Sequence, residues 1–176
     1  MKKTLHKGIL ITMNQPLFYS SCASPIGRIF AAASDDGITH VCIGKVGLLK
    51  RVSSCGARLH EDRGRFAEVF ELLEKYFSGH RVVFKITLDI TGSAFQKNVW
   101  AEIKKIPYGM TINYGEIAAR LGIPKGARAI GNACGTNPVP IIIPCHRVLK
   151  GDGSIGGYAG GVEIKKRLLE VEGIRP

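Results

Sequence analysis

Residues 117 to 135, Ile-Ala-Ala-Arg-Leu-Gly-Ile-Pro-Lys-Gly-Ala-Arg-Ala-Ile-Gly-Asn-Ala-Cys-Gly, contain two short helical patterns with a break between them. The first has Ile117, Ala118 and Leu121 on one face and ends at Gly122-Ile123-Pro124. The second has mostly small side chains, although each interior glycine costs a helix roughly 1 kcal/mol relative to alanine. This order predicts a helix-turn-helix. A helix with a small-residue face suits either a large partner that approaches its backbone or close packing inside the protein, and the pattern alone leaves both interpretations open.

Further along, residues 143 to 148, Ile-Pro-Cys-His-Arg-Val, place Cys145 beside a proton carrier, His146, and a cation, Arg147. A thiol is a strong nucleophile only as thiolate, and nearby positive charge or a histidine base lowers its pKa. Pro144 restricts its own backbone and that of the residue before it, so we expect Cys145 in a stiff extended segment. His146 would then face the opposite way and reach the thiol through water. The alternative is a small buried residue that ends an apolar run.

Length and composition indicate one compact unit or two small domains. The chain has 176 residues, of which 45% are hydrophobic, enough for a core. Lys and Arg number 25 against 14 Asp and Glu, and the formal net charge of +11 is spread over both halves of the chain. Such an excess favours a polyanionic partner, nucleic acid first. A merely solubilising surface is the competing explanation.

The sequence predicts neither membrane insertion nor export. No apolar run approaches the ~20 residues that span a bilayer. The basic start, residues 1 to 7, precedes only Ile9-Leu10-Ile11, which is shorter than the ~7 to 15 apolar residues of a signal peptide. We therefore expect a cytoplasmic protein.

The five cysteines include no C-x-x-C pair, which disfavours both a disulfide framework and a zinc ribbon. We expect reduced thiols, no bound metal and no cofactor. A zinc site in the amino-terminal part is the less favoured alternative, since the spacing matches no self-contained zinc motif. Its ligands would have to come from Cys22, His40, Cys42, Cys55 and His60.

Residues 1 to 90 predict an α+β domain with a small antiparallel sheet. Short strands are expected at 18–22, 26–33 and 38–43, with turn-forming residues between them, and another at 82–88. Apolar residues at three- and four-residue steps mark an amphipathic helix that ends near Ser78-Gly79. These core residues are Phe66, Val69, Phe70, Leu73 and Phe77.

Residues 91 to 176 predict a second, mainly helical domain. Phe95, Val99, Ile103 and Ile106 share one helix face until Pro107-Tyr108-Gly109 interrupts the pattern. The helix-turn-helix follows, so we expect a winged-helix-like carboxy-terminal domain. The predicted fold class is α+β, with a domain boundary near residue 90.

Several motifs in register resemble the O6-alkylguanine-DNA alkyltransferases, repair proteins that move an alkyl group from a damaged guanine onto their own cysteine. The resemblance covers residues 91 to 176. Its motifs are Gly92-Ser93-x-Phe95-Gln96-x-x-Val99-Trp100, Tyr114-Gly115-Glu116-Ile117-Ala118, Arg128-Ala129-Ile130-Gly131-Asn132-Ala133, Asn137-Pro138-Val139-Pro140, Pro144-Cys145-His146-Arg147-Val148, Gly156-Gly157-Tyr158-Ala159-Gly160-Gly161 and Leu168-Leu169-Glu170-x-Glu172-Gly173. It implies irreversible, single-use repair of O6-alkylguanine, and less well of O4-alkylthymine, in double-stranded DNA by a monomer.

By this resemblance, Cys145 is the alkyl acceptor. Glu172 holds His146 in the tautomer that draws the thiol proton through water, which is the logic of a catalytic triad with a cysteine nucleophile. Tyr114 protonates the leaving guanine, so that the base does not depart as an anion. The alternative for Tyr114 is a plain core tyrosine.

The resemblance also assigns residues to DNA and to the base pocket. The second helix of the helix-turn-helix enters the minor groove, and Arg128 fills the gap left when the damaged nucleotide rotates out. An ion pair or a phosphate contact is the alternative for Arg128. The expected DNA-binding residues are Ala127, Arg128, Ala129, Gly131, Asn132 and Gly135. The expected pocket residues are Tyr114, Asn137, Val148, Tyr158, Ala159 and Lys165.

Two of these residues carry further expectations. Asn137 ties the DNA helix to the cysteine segment. Lys165 lies near the thiol, or else is a solvated helix lysine. The chain departs from the family at Ala159, where many relatives have serine, and at Gly135, where they have a basic residue. A backbone N–H at 159 still serves the pocket, whereas the missing cation weakens phosphate contacts modestly.

Two other classes of function stay open on the sequence. One is a noncatalytic sensor of alkylated DNA, and the other is a helix-turn-helix regulator with a redox or metal switch at its cysteine. Noncatalytic relatives lack the cysteine, and a regulator would not require Tyr114 or the glycine-rich pocket. Cys134 is the other candidate thiol target, but it has no adjacent base.

Overall fold

A computed structural model of the chain describes residues 16–53 and 57–175, so the basic start of the chain and Cys55 lie outside the described residues. The amino-terminal part contains β1 Leu17–Cys22, β2 Ile29–Ala33, β3 Ile38–Ile43, α1 Lys45–Ser53, β4 Leu59–Glu61, a 3₁₀ turn Gly64–Phe66 and α2 Ala67–Phe77. The carboxy-terminal part contains α3 Ala94–Lys104, β5 Ile112–Asn113, α4 Tyr114–Arg120, α5 Ala127–Gly135, a 3₁₀ turn Cys145–Arg147, β6 Val148–Leu149 and α6 Val162–Val171. The predicted α+β class is confirmed.

The sheet of the amino-terminal part has the strand order β3-β2-β1-β4. The pairs β1–β2 and β2–β3 are antiparallel, as the alternating strands and turns predict. The edge strand β4 is parallel to β1, which the sequence did not indicate. Parallel pairing requires a long crossover, and α1 lies within that connection. Helix α1 was also not predicted, since its nine residues include Gly47 and are too few for a clear period.

Both faces of this sheet are covered. In the central strand β2, Ile29, Ala31 and Ala33 point into a large core shared with α2 and the carboxy-terminal helices. Phe30 and Ala32 point the other way, into a smaller cluster with Leu48 and Val52 of α1. This alternation follows from the two-residue period of a strand. The main core is continuous between the two parts of the chain. Among the described residues, no helix has the length and apolar character needed to cross a bilayer.

The strand predicted at 82–88 is wrong. The segment is irregular and joins the sheet only through a single bridge between Leu88 and Ile38. The outer edge of β3 is taken by another partner, because the Val41 N–H donates to the Pro138 carbonyl at 2.9 Å. An edge group that is already paired cannot extend a ladder with the predicted strand.

Helix α3 begins with a complete amino-terminal cap. The Gln96 N–H donates to Ser93 Oγ at 3.2 Å, and the Ser93 N–H donates to Gln96 Oε1 at 2.8 Å. This reciprocal pair is a capping box. A Cβ at Gly92 would lie 2.7 Å from the Trp100 ring, so the close approach requires glycine. Trp100 Nε1 in turn donates to the Ala133 carbonyl at 2.9 Å and fastens α3 to α5.

Phe95 does not lie on the buried face as predicted. It is 38% exposed, whereas Val99 and Ile103 are fully buried. Phe95 occupies the first turn of α3, where the surrounding residues are also exposed, so this turn extends beyond the core.

The predicted helix-turn-helix is present as α4 and α5. The intervening residues include Gly122, whose φ of 71° lies in the left-handed region that favours glycine. The inner face of α5 consists of Ile130, Ala133 and Cys134, which are buried. Its remaining small side chains are left on the outside of the helix.

Two phenylalanines provide a matched test of this core. We expect Phe66→Ala, at a fully buried site, to lower the free energy of unfolding by about 3 to 5 kcal/mol. The same change at Phe95, which is 38% exposed, should cost clearly less, about 1 kcal/mol, because only part of its apolar surface is buried. Chemical denaturation of both variants measures the difference. Equal losses would contradict the placement of the two rings.

Candidate active site

Cys145 follows a tightly turned segment. Pro144 has φ −81° and ψ 62°, and the Cys145 N–H donates to the Ile143 carbonyl at 2.8 Å. These values describe an inverse γ-turn. Ile141 has φ 74°, a conformation that β-branched residues rarely adopt. Cys145, His146 and Arg147 then form a 3₁₀ turn, so the expectation of an extended segment is wrong. The expectation failed because the fixed φ of proline is compatible with a sharp turn as well as with a strand.

The thiol of Cys145 is held by Asn137. The cysteine is only 5% exposed, and Asn137 Nδ2 donates to Sγ at 3.1 Å and to the Ile143 carbonyl at 2.8 Å. The Val139 N–H donates to Asn137 Oδ1 at 3.0 Å and fixes the orientation of the amide. Asn137 lies directly after α5, so it links the end of that helix to the thiol.

Burial raises the pKa of the Cys145 thiol, and the Asn137 hydrogen bond and the Lys165 cation only partly oppose this effect. Lys165 is fully buried, and its Nζ donates to the carbonyls of Val148 at 2.6 Å and Ile155 at 2.5 Å. Burial lowers the pKa of Lys165 to about 8. The solvated alternative for Lys165 is therefore excluded.

Arg147 does not supply the positive charge beside the thiol, so that sequence-based interpretation is wrong. Its Nε donates to Glu172 Oε2 at 2.9 Å, its Nη2 donates to Glu172 Oε1 at 3.0 Å, and its Nη1 donates to the Ile106 carbonyl at 2.6 Å. A 3₁₀ turn separates successive side chains by about a third of a revolution. Arg147 thus points toward α6 and the end of α3, while Lys165 is the cation that acts on Cys145.

His146 and Glu172 form a buried pair. His146 Nε2 lies 2.7 Å from Glu172 Oε1, and both side chains are inaccessible to solvent. Burial lowers the pKa of His146, although the Glu172 carboxylate opposes this effect. Burial alone would raise the pKa of Glu172, but hydrogen bonds from His146 and Arg147 lower it to about 2. The other ring nitrogen, His146 Nδ1, has no hydrogen-bond partner among the described residues.

Tyr76 of α2 belongs to the same network, although the sequence did not identify it. Its hydroxyl lies 2.8 Å from Glu172 Oε1 and 3.3 Å from His146 Nε2. A buried tyrosine on an amphipathic helix needs a partner for its hydroxyl, and this was the available signal. Arg51 of α1 is a second unexpected contact from the amino-terminal part, since its Nη1 donates to the Asn137 carbonyl at 3.1 Å.

A cavity of about 310 Å³ opens beside Cys145. The predicted pocket residues Tyr114, Tyr158 and Ala159 line it, together with Gly131, Cys134, Gly135, Cys145 and Gly157. Val148 and Lys165 do not line this cavity, and Lys165 Nζ instead donates to the Val148 carbonyl. Asn137 lines a neighbouring cavity of about 140 Å³ that also reaches Cys145.

Two tyrosines shape this cavity. Tyr114 begins α4, and a Cβ at Gly156 would lie 3.4 Å from its hydroxyl. Residues 156–161, which we call the glycine loop, therefore pass close to this tyrosine. Burial raises the pKa of Tyr114 to about 12, which keeps it a proton donor. The Tyr158 hydroxyl is buried and has no hydrogen-bond partner among the described residues. Burial, first of all, and the nearby Cys145 raise its pKa.

The outer face of α5 combines small side chains with one cation. Ala127, Arg128, Asn132 and Gly135 are exposed, whereas Ala129 and Gly131 are half-buried. Arg128 forms no ion pair with any residue in the described ranges, so the ion-pair alternative receives no support. Cys134 lies on the inner face, where burial raises its pKa to about 12. This thiol is therefore far less nucleophilic than a free cysteine.

The four candidate zinc ligands that the structure describes, Cys22, His40, Cys42 and His60, do not form a metal site with one another. Within residues 16–53 and 57–175, no three His, Cys, Asp or Glu side chains are grouped so as to hold a metal ion. Cys55, one of the five candidates, lies outside the described residues.

Known families match almost all of the described chain. The profile for the DNA-binding domain of 6-O-methylguanine DNA methyltransferase matches residues 94–174. The profile for the ribonuclease-like domain of 6-O-methylguanine DNA methyltransferase matches residues 17–90.

Individual relatives agree with these profiles. The methylated-DNA–protein-cysteine methyltransferase of Methanosarcina acetivorans is 41% identical over 157 residues, which are 89% of this chain and 99% of the relative. The protein of the same name from Mycobacterium tuberculosis is 38% identical over 156 residues, or 89% of this chain and 92% of the relative.

Solved structures show the same likeness. The crystal structure of Mycobacterium tuberculosis O6-methylguanine methyltransferase has a TM-score of 0.80 at 38% identity, and the match covers 89% of this chain and 92% of that one. The mycobacterial protein in complex with DNA has a TM-score of 0.79, with 88% and 92% covered. The chain therefore belongs to the family of methylated-DNA–protein-cysteine methyltransferases.

Proposed function

We propose that this protein repairs duplex DNA by transferring the alkyl group of O6-alkylguanine, and less well of O4-alkylthymine, to Cys145. The placement of the thiol carries this proposal: Sγ is held by Asn137 at the wall of a cavity that Tyr114 and the glycine loop complete. The glycines allow a planar base to approach the backbone closely. We further propose that the protein works as a monomer in the cytoplasm and that the reaction requires no metal or cofactor.

The first chemical step is deprotonation of the thiol. Because burial raises the pKa of Cys145, the resting side chain is a thiol and requires a base. His146 Nδ1 takes the proton through one water, while Nε2–H donates to the Glu172 carboxylate. Glu172 stabilises the imidazolium that results. Lys165 favours the thiolate by its charge.

The second step is displacement at the alkyl carbon. The thiolate electron pair forms the S–C bond as the C–O6 bond breaks and its electrons pass to the guanine. Tyr114, which stays protonated in its buried position, donates a proton to the departing base. It later regains a proton from water, while the His146 imidazolium releases its proton to water. The product is a thioether, which has no acyl carbon for water to attack. Each chain is therefore expected to react once.

The alkyl carbon is inaccessible inside a base stack, so the nucleotide must rotate out of the duplex. The small, exposed face of α5 allows close approach to DNA, and Arg128 extends from its first turn. We assign Arg128 to the gap in the stack, with Ala127, Ala129, Gly131, Asn132 and Gly135 along the minor groove. In this arrangement residues 91–176 form the DNA-binding and transfer domain, and residues 1–90 form a supporting domain.

Substitution of the acceptor is the direct test. We expect Cys145→Ala and Cys145→Ser to abolish transfer and to change the Kd for alkylated duplex by no more than about twofold, because phosphate contacts are separate from the chemistry. Intact-mass analysis after incubation with excess O6-methylguanine DNA should show one added methyl group per wild-type chain, located on Cys145. Cys22→Ser, which changes a half-buried cysteine of β1 that does not line the cavity, is the control and should react as the wild type does.

Transfer that persists in Cys145→Ala would exclude Cys145 as the acceptor. Binding of alkylated DNA by the wild type without any gain in mass would indicate the noncatalytic sensor instead. More than one alkyl group removed per chain would contradict single use.

Arg128 is tested by comparing two substrates. We expect Arg128→Ala to slow repair of duplex DNA by about tenfold or more, because unstacking costs a few kcal/mol, and to leave reaction with free O6-benzylguanine almost unchanged. Single-turnover kinetics measure both rates. Lys97→Ala removes one exposed cation from α3 and serves as the charge-matched control. Equal slowing on both substrates would assign Arg128 to the pocket or the fold.

A further inference from the structure

Tyr76 brings a hydroxyl from the amino-terminal part of the chain into the His146–Glu172 pair. The residue lies on α2 and is fully buried. Its oxygen has three neighbours: Glu172 Oε1 at 2.8 Å, His146 Nε2 at 3.3 Å and the Leu168 carbonyl at 3.4 Å. The phenol ring also meets the imidazole edge-on, with ring centroids 6.4 Å apart.

The Tyr76 hydroxyl has one hydrogen, and it donates this hydrogen to the Glu172 carboxylate. The carboxylate oxygen is the nearest of the three neighbours, is ionised and can only accept. Burial and the neighbouring Glu172 charge raise the pKa of Tyr76, so the phenol does not lose this hydrogen. The lone pairs of its oxygen are then the groups that Tyr76 presents to His146.

This arrangement selects one form of the imidazole. His146 Nε2 faces two oxygens, the Glu172 carboxylate and the Tyr76 hydroxyl, and neither has a hydrogen left to give it. A hydrogen on Nε2 satisfies both contacts, whereas a bare Nε2 would meet two electron-rich atoms. The hydrogen therefore resides on Nε2, which leaves Nδ1 free to accept a proton.

We propose that Tyr76 is a positioning residue for the transfer reaction, which fixes Glu172 and holds His146 in the tautomer with a basic Nδ1. This inference rests on the proposed function, because it concerns the base that activates Cys145. It gives the amino-terminal part of the chain a role in the chemistry. The Tyr76 hydroxyl bonds to neither the thiol nor any residue of the base pocket within the described part of the chain.

The test compares Tyr76→Phe with Tyr108→Phe. Tyr108 is a matched control, since its hydroxyl donates to the Val171 carbonyl at 2.7 Å, next to the same helix end, and its ring packs against Tyr76. Alkylation of Cys145 by free O6-benzylguanine is followed by mass over a range of pH, so that DNA binding does not contribute. The wild type is measured first, because only a wild type that alkylates Cys145 makes the comparison meaningful.

For Tyr76→Phe we expect the plateau rate to fall by about tenfold, the effect of losing one hydrogen bond to a charged group. We also expect the acidic limb of the rate profile to move to higher pH. Without the hydroxyl, Glu172 holds the imidazolium more strongly and raises the pKa of His146, while the other facing charges, Arg147 and Lys165, are unchanged. Tyr108→Phe should leave the limb in place.

Two results would overturn the inference. One is a folded Tyr76→Phe protein with the wild-type rate and limb, and the other is slowing with no movement of the limb, which a purely structural role would produce. Should this variant fail to fold, ¹⁵N NMR of histidine-labelled wild type decides the question. We expect a protonated Nε2 and a bare Nδ1 at His146, and a proton on Nδ1 would refute the inference. A wild type that never alkylates Cys145 would instead refute the proposed function.

Discussion

The buried carboxylate of Glu172 is the group on which the rest of the site depends. It lies at the carboxyl end of α6, where the helix dipole disfavours an anion, and burial of an unpaired charge costs several kcal/mol. Four donors offset this cost: Arg147, His146, Tyr76 and the Gly109 N–H, which lies 3.1 Å from Oε2. They come from three separate segments of the chain, because His146 and Arg147 share the 3₁₀ turn. Satisfying one anion therefore fixes the end of α6, the 3₁₀ turn, α2 and the residues after α3 relative to one another.

Local patterns were sufficient for much of the fold. The strands β1 to β3, α2, α3 and the helix-turn-helix follow from periodicity, turn formers and breakers, because each satisfies its own backbone or buries one clear face. The predictions that failed concern strand pairing, which depends on contacts between segments that are distant in the sequence. Whether residues 82–88 pair as a strand depends on the edge of β3, where Val41 bonds to Pro138 of the other part of the chain. Likewise, β4 is a strand only because β1 offers it a free edge.

The site shows the same division. Motif resemblance predicted the contacts of Cys145 with Asn137 and of His146 with Glu172, which the structure brings together. The prediction for Arg147 was wrong because it relied on closeness in the sequence. Arg147 follows Cys145 by two residues, but the 3₁₀ turn directs its side chain away from the thiol. Tyr76 was missed because the apolar pattern of α2 indicates only a core aromatic residue whose hydroxyl needs some partner, and does not say which. Only the packing of α2 against α6 gives its hydroxyl a charged partner.

Burial and the polar neighbours of Cys145 have opposite effects on the pKa of its thiol. Burial favours the neutral thiol, whereas Asn137 and Lys165 favour the thiolate, and the balance leaves the resting pKa raised. A thiol in this state resists oxidation and chance alkylation, because the thiolate is the reactive form. A site that can react only once benefits from such restraint, since every adventitious reaction would remove a molecule from use. The cost is that, in the proposed mechanism, activation needs a base, and that base, His146, is held by Glu172. The fold thus keeps Cys145 unreactive by burying it, and the proposed base, His146, follows it in the same 3₁₀ turn.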